Sequence, residues 1–259
     1  MSKSSKALIG KVAVDRISLS GLLEAVGQSL AGSGARSRTI FYANSYAVTL
    51  AEADPQFAAA LKEADHVFCD GYGVYMASRV LGEAVPQRFA WPDWIDELGR
   101  VCRAANASMF FLGAQEGVAR EAAKRLEARV PGLRINTHHG HFAKDDATSR
   151  SVIDIVNRSG AKILLVGFGM PLQEVWVTRH RRDLDPVVVF SVGAMFDYVA
   201  GNVVRGPRWL TQHGFEWLTR LIIEPRRLWR RYLLGLPEFA LLVGREWISG
   251  RNSVGIERQ

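Results

Sequence analysis

Asp70 stands where a short apolar run gives way to glycines, in "HVFCDGYGV" at 66–74. A carboxylate placed there can take the proton of a substrate hydroxyl as its oxygen attacks, an assistance worth roughly 10²–10⁴ in rate. Asp-Gly is also a common turn pair, so residue type alone leaves a turn and a catalyst both open. A second stretch, "GFGMPLQE" at 167–174, sets Gly167 and Gly169 after another apolar run. Leu172 stands where the third glycine of a dinucleotide fingerprint belongs, and no G-x-x-x-x-G-K-[ST] occurs, so neither an NAD site nor a P-loop is supported. What remains is a glycine turn with Pro171 suited to the first helical position, beside Gln173 and Glu174. A helix N-terminus at a sheet edge can still hold a phosphate.

Other constellations carry less chemistry. "HHGHF" at 138–142 offers three histidines, without the cysteine or carboxylate partners that metal-ligand spacing requires. "DLD" at 183–185 has the form of a cation-holding D-x-D, but it follows "RHRRD" and reads better as a solvated turn. Cys69 and Cys102 make neither a nucleophile signature nor a disulfide framework, which points to a reducing cytosol. No metal and no cofactor is expected.

The elements that must position these residues alternate. β-rich runs lie at 39–44, 66–70, 108–113, 133–138, 162–169 and 187–193. The stretches 21–31, 45–64, 72–82, 93–106, 115–130, 145–158 and 171–182 read as helices; in 115–130, Val118, Ala122, Leu126 and Val130 recur at four-residue steps. Strands alternating with helices predict an α/β fold, a Rossmann-like, mainly parallel sheet with helices on both faces. In such sheets ligands bind outside the carboxyl ends of the strands. Asn44 with Ser45, Asp70 with Gly71 and Gly73, Gly113, Gly167 with Gly169, and Gly193 all fall at that rim.

The chain has 259 residues, 48% hydrophobic and 23% charged, a globular composition with one sizeable core. No run of about 18 apolar residues is present to cross a membrane, and the N-terminus reads as no signal peptide. The net charge of +7 is concentrated late: from Arg205 to Arg251 nine arginines face four glutamates and no lysine. They are interleaved with Trp209, Trp217, Trp229 and Trp247, the make-up of a helix that lies on an anionic membrane surface. The division expected is an α/β domain over 1–200 and a basic, amphipathic, helical appendage over 201–259, with short helices broken near Pro225 and Pro237.

Taken in order, "ANSYAVTLAEADPQFAAALKEADHVFCDGYGV", "FFLGAQEGVA", "HHGHF", "LLVGFGMPLQEVW", "SVGAMFDYVAG" and "RGPRWLTQHGFEWLTRLIIEPRRLWRRY" resemble the WecG/TagA/CpsF family of bacterial glycosyltransferases, over about residues 10 to 235. The resemblance implies an inverting, metal-independent transfer of a sugar from a UDP-sugar to a polyprenyl-diphosphate-linked saccharide. It implies a peripheral enzyme on the cytoplasmic face of the cell membrane, working in cell-surface or exopolysaccharide synthesis. Asp70 matches the family's proposed base, and Asn44, Arg88, Gln173 and Asp197 match other cleft positions. Arg205, Arg220, Arg227, Arg230 and Arg231 are the candidates to reach the donor diphosphate. Two departures stand out: Tyr42 replaces a usual threonine, and "FAWPDW" replaces a Gly-Ser/Thr-Asp turn after Arg88. They leave the donor sugar open between N-acetylmannosamine, glucose and glucuronate. The rival readings are a non-catalytic subunit of a polysaccharide assembly complex and a basic nucleic-acid-binding module, though the Trp/Leu content suits lipid better than nucleic acid. Self-association would be another way to bury the appendage's apolar face.

Overall fold

The computed structural model describes residues 6–32, 37–203, 206, 216–223 and 225–250, and of Glu216, Arg220 and Arg227 the backbone only. Six parallel strands form the central sheet: β3 (Arg38–Ala43), β4 (His66–Cys69), β5 (Met109–Gly113), β6 (Ile135–His138), β7 (Ile163–Gly167) and β8 (Val188–Ser191). Their order across the sheet is β4-β3-β8-β7-β5-β6. All six are the runs expected from the β-rich segments, and their pairing is parallel throughout.

Burial on both faces follows from the period of two along each strand. Phe41, Val67, Phe110, Leu164 and Val189 point to one face, under α2 (Ser45–Ala53), α3 (Pro55–Glu63), α4 (Tyr72–Val80), α7 (Asp146–Arg158) and α8 (Leu172–His180). Ile40, Tyr42, Phe68, Phe111, Leu165 and Phe190 point to the other, under α1 (Leu19–Ala31), α5 (Trp91–Ala104), α6 (Val118–Arg129) and α9 (Met195–Ala200). That second face holds an aromatic stack: Phe68 on Phe89 at 4.8 Å and Trp91 on Trp94 at 4.2 Å between centroids.

The chain leaves β5 towards β6 and leaves β7 in the opposite direction, towards β8. Between these diverging crossovers a crevice opens at the carboxyl edge. Glycines let the backbones close beneath it: a Cβ on Gly113 would lie 2.5 Å from the Gly167 carbonyl oxygen. Neither strand can retreat from the ladder, so Gly113→Ala is expected to cost about 1–3 kcal/mol of stability by urea unfolding; a change below 0.5 kcal/mol would show a looser crevice.

Three elements differ from the sequence expectation. The stretch 45–64 is two helices, because Asp54 ends α2 and its carboxylate caps α3 through Gln56 N–H (2.9 Å) and Phe57 N–H (3.1 Å), with Pro55 opening the second helix. A hairpin of β1 (Lys6–Ile9) and β2 (Val12–Asp15) precedes the sheet. It guards the β4 edge, where buried Asp15 accepts the outward Val67 N–H at 2.7 Å. Pro237 ends no helix: it sits in the first turn of a closing helix, Gly235–Ile248, directly after an irregular turn. A π-helical turn, Arg230–Leu234, leads into it from the short helix Pro225–Trp229, and another helix spans Glu216–Ile223. The closing helix is docked: Phe239 and Val243 are buried in the first core layer, and Glu246 accepts the Gly10 N–H at 3.2 Å. Among the described residues no helix is long and apolar enough to cross a membrane.

Candidate active site

Asp70 follows β4 directly, and its N–H still bonds the Ala43 carbonyl at 2.9 Å, so strand geometry fixes its backbone. The chain then turns through Gly71, at φ +102, which is the N-cap of α4. That conformation belongs to glycine, and it places Asp70 one residue outside the helix. On the neighbouring strand Asn44 is itself an N-cap, its Oδ1 accepting the Ala47 N–H at 3.0 Å.

Two clefts meet at this point. The larger, about 1010 Å³, runs along the carboxyl edge from β4 to β5, past Tyr42, Trp91, Gln115, Gly167, Gly169, Gly193 and Asp197. The smaller, about 290 Å³, lies between the start of α4 and the C-terminal region, with Ser45, Gly71, Tyr72, Gly73, Arg88, Trp217, Tyr232 and Leu236 around it. Asn44, Tyr46, Asp70 and Arg231 line both. Arg231 comes from the π-helical turn, and its guanidinium stands 4.5 Å from the Tyr46 ring centre. Burial first, then the Glu174 and Asp70 charges, push the Tyr42 hydroxyl pKa well up, opposed by Arg231 and a hydrogen bond with Gln173. Tyr42 therefore presents a neutral hydroxyl in the cleft wall.

The residues singled out by sequence are partly gathered here. Asn44, Ser45, Asp70, Gly71, Gly73, Arg88, Gly167, Gly169, Asp197 and Arg231 line one cleft or both. Gly113 lies just beneath, at the closed approach to Gly167. Gln173 and Glu174 are fully buried behind the larger cleft, outside its lining. Arg230 is exposed, 5.3 Å from the Trp229 ring, and lines neither cleft. Arg205 lies outside the described residues, as do the side chains of Arg220 and Arg227. The Gly169 N–H donates to Gln173 Oε1 at 3.1 Å. Tyr46 and Gln115 were missed, although each stands within three residues of a strand's carboxyl end.

The histidine stretch is part of a clamp beside the larger cleft. His138 and His139 stack at 4.5 Å, while Lys144 Nζ donates to the Gly140 (2.6 Å) and Phe142 (2.8 Å) carbonyls and sits over the Phe142 and Phe168 rings. Burial lowers the Lys144 pKa. This clamp presents Gly140 and His141 to the larger cleft. Among the described residues no three His, Cys, Asp or Glu side chains converge as a metal site would need. Asp183 and Asp185 precede β8, at the sheet edge opposite the clefts.

Burial pushes the Glu174 carboxyl up to about 7, against hydrogen bonds from Gln173, from its own backbone N–H and from Ser191 that favour the charged form. Between the ordinary carboxyl range and pH 7 the folded state thus binds a proton that the unfolded state releases. That stabilisation is complete below about pH 4.5 and fades as pH rises through about 7. Glu174→Gln, neutral throughout, is expected to gain stability relative to the natural protein from pH 5 to pH 8, by roughly 3 kcal/mol at most. Urea midpoints measured across that range would show it; a constant difference would refute it.

Comparison with known proteins agrees with this geometry. The model of the glycosyl transferase WecG/TagA/CpsF family matches residues 7–253. An N-acetylglucosaminyldiphosphoundecaprenol N-acetyl-beta-D-mannosaminyltransferase of Bacillus spizizenii is 31% identical over 190 residues, 73% of this chain and 72% of that protein. A Staphylococcus aureus protein of the same name is 26% identical over 238 residues, 92% of each chain. The α/β sheet with its glycine-lined rim, the aspartate at the meeting of two clefts and a family match over nearly the whole chain lead to one conclusion: this protein is a glycosyltransferase and belongs to the WecG/TagA/CpsF family.

Proposed function

We propose that the enzyme moves a sugar, with inversion and without a metal, from a UDP-sugar to a polyprenyl-diphosphate-linked saccharide in cell-surface polysaccharide synthesis. The observation that carries this reading is the place of Asp70 between two clefts that share Asn44, Tyr46 and Arg231. A direct displacement needs donor and acceptor on either side of one base, and this arrangement supplies that. The larger cleft has the size for a nucleotide sugar. The smaller one combines Arg88 and Arg231 with Tyr72, Trp217, Tyr232 and Leu236, a cationic and apolar mix suited to a lipid diphosphate.

In the proposed reaction Asp70 accepts the proton of an acceptor hydroxyl while that oxygen forms its bond to the anomeric carbon. The bond from that carbon to the UDP oxygen breaks in the same step, so the configuration inverts. The leaving diphosphate gathers negative charge, which the Arg231 guanidinium stabilises in a site partly shielded from water. The curated relatives, by name, transfer N-acetyl-beta-D-mannosamine to an undecaprenol-diphosphate-linked acceptor, which makes UDP-N-acetylmannosamine the first donor to test.

A peripheral position on the inner membrane face completes the proposal. Ile222 (71%), Leu241 (62%), Trp247 (63%) and Ile248 (79%) are exposed on the C-terminal helices near Arg226, Arg230 and Arg245. The test is UDP release and product analysis with UDP-N-acetylmannosamine, UDP-glucose and UDP-glucuronate, on a polyprenyl-diphosphate N-acetylglucosamine acceptor in anionic vesicles, with and without a chelator. Turnover with one donor, resistant to chelator and giving the inverted anomer, is expected. Absence of UDP release with every donor, or loss of activity on chelation, would overturn the reading.

A further inference from the structure

Gln173 and Glu174 open α8 from behind the larger cleft, where both are fully buried. Neither lines the cleft, yet Gln173 reaches three residues that do. Its Oε1 accepts the Gly169 N–H at 3.1 Å and the Gly193 N–H at 3.0 Å, and its side chain hydrogen-bonds Tyr42. The turns after β7 and β8 are thereby joined through one oxygen. Gly193 lies at φ +55, and a Cβ there would stand 2.5 Å from the Tyr42 hydroxyl, so this turn is tightly confined.

A side-chain amide can turn over, exchanging its oxygen and its NH₂ group. Turned over, Gln173 would set an NH₂ against two backbone N–H donors, and both turns would lose their acceptor. Glu174 prevents this. Its Oε1 accepts from Gln173 Nε2 at 2.7 Å, so the observed orientation makes three hydrogen bonds at once and the turned-over one forfeits the two from the backbone. Among the described residues the remaining oxygen, Oε2, has no partner at full hydrogen-bond geometry, and neither does the nearby Ser191 Oγ. A buried carboxyl is costly, and packing alone would be served as well by a methionine. Among the described residues, the Glu174 side-chain hydrogen bond with full geometry is the one that orients Gln173.

We propose that Glu174 is a positioning residue for sugar transfer: it holds the Gln173 amide in the one orientation that ties the Gly169 and Gly193 turns together, and so shapes the cleft wall against which the donor binds. The functional half of this statement rests on the reading of the larger cleft as the UDP-sugar site. The structural half does not, which allows the two to be tested apart.

The test compares Glu174→Gln, Glu174→Met and Gln173→Met with the natural chain. Amide hydrogen exchange at Gly169 and Gly193 reports the tie itself, and calorimetric titration with UDP reports the cleft. Glu174→Gln keeps an acceptor oxygen and is expected to retain protection and UDP affinity within about threefold. Glu174→Met is expected to speed exchange at both glycines at least tenfold and weaken UDP about tenfold, with protection in the middle of β7 and β8 unchanged. Gln173→Met should do the same, and adding Glu174→Met to it should add little, because both act through one amide. Unchanged exchange in Glu174→Met, a Glu174→Gln variant as impaired as Glu174→Met, or fully additive effects would each overturn the proposal. Should Glu174→Met fail to fold, the contrast of Glu174→Gln with Gln173→Met makes the same decision. A natural chain that bound no UDP would refute the donor reading, and the exchange rates would still decide what Glu174 does.

Discussion

Asp70→Asn is expected to lower turnover by roughly 10²–10⁴ while leaving the protein folded and able to bind UDP. Asparagine keeps the size of the side chain and an acceptor oxygen but has no basicity to offer an attacking hydroxyl. The backbone of residue 70 is held by the strand, through its N–H to Ala43, and the left-handed turn belongs to Gly71. The substitution therefore leaves the backbone in place and removes the proton acceptor. Single-turnover UDP release on the lipid-linked acceptor, alongside a thermal unfolding scan, makes the measurement. An Asp70→Asn enzyme within fivefold of normal turnover would remove Asp70 from the chemistry, and the junction of the two clefts would need another base.

Arg231→Ala is the second large effect, a loss of roughly 10²-fold or more in kcat/KM, the scale seen when one preorganised donor to a developing charge is deleted. Three observations support it. Arg231 lines both clefts, its guanidinium stands by the Tyr46 ring, and among the described residues its buried Nε has no hydrogen-bond partner, so it keeps donor capacity for a ligand. Arg231→Lys should recover only part of the loss, because an ammonium restores the charge but not the planar fork that can grip a diphosphate. Arg230→Ala is the internal control: exposed and outside both clefts, it should change kcat/KM in solution less than threefold. If the two alanine variants behaved alike, the tail would act through its overall charge and not through one placed cation.

Much of the frame was legible because its signals are periodic. Six apolar runs separated by helical patterns give a parallel sheet, and glycine at four strand ends marks the rim where ligands gather. Asp70 was legible for the same reason, since a carboxylate just past a buried strand has one place to go. The hairpin before the sheet was not, because four-residue arms give too short a period and its purpose depends on Asp15 meeting an edge that comes 52 residues later. The break at Asp54 was present in "ADPQ" but masked by continuous apolar spacing on either side. "FAWPDW" marked a departure near the cleft without revealing its division of labour: Trp91 lines the cleft and bonds the Ser191 carbonyl at 3.1 Å, while Trp94 is entirely core. Gln173 and Glu174 were found by their position after a glycine turn, but only coordinates show them facing inward. Which side of α8 meets the cleft depends on how the helix seats on the sheet, and its apolar pattern is too weak to tell.

The docked closing helix bears on the life of the chain before it is an enzyme. Asp70 and its strand are synthesised in the first third of the polypeptide. Trp217, Arg231, Tyr232 and Leu236, which wall the smaller cleft, come in its last fifth. Phe239, the tail residue that packs at Gly73, follows them. At about 5–20 residues per second, several seconds separate synthesis of the last sheet strand from that of Leu236, the last residue of the smaller cleft's wall. A chain ending near residue 200 would carry the aspartate but lack Trp217, Arg231, Tyr232 and Leu236, and with them the Phe239 and Val243 that the closing helix buries in the core. Only full-length synthesis closes the second compartment, so a truncated product would be without the wall against which a lipid substrate could be held.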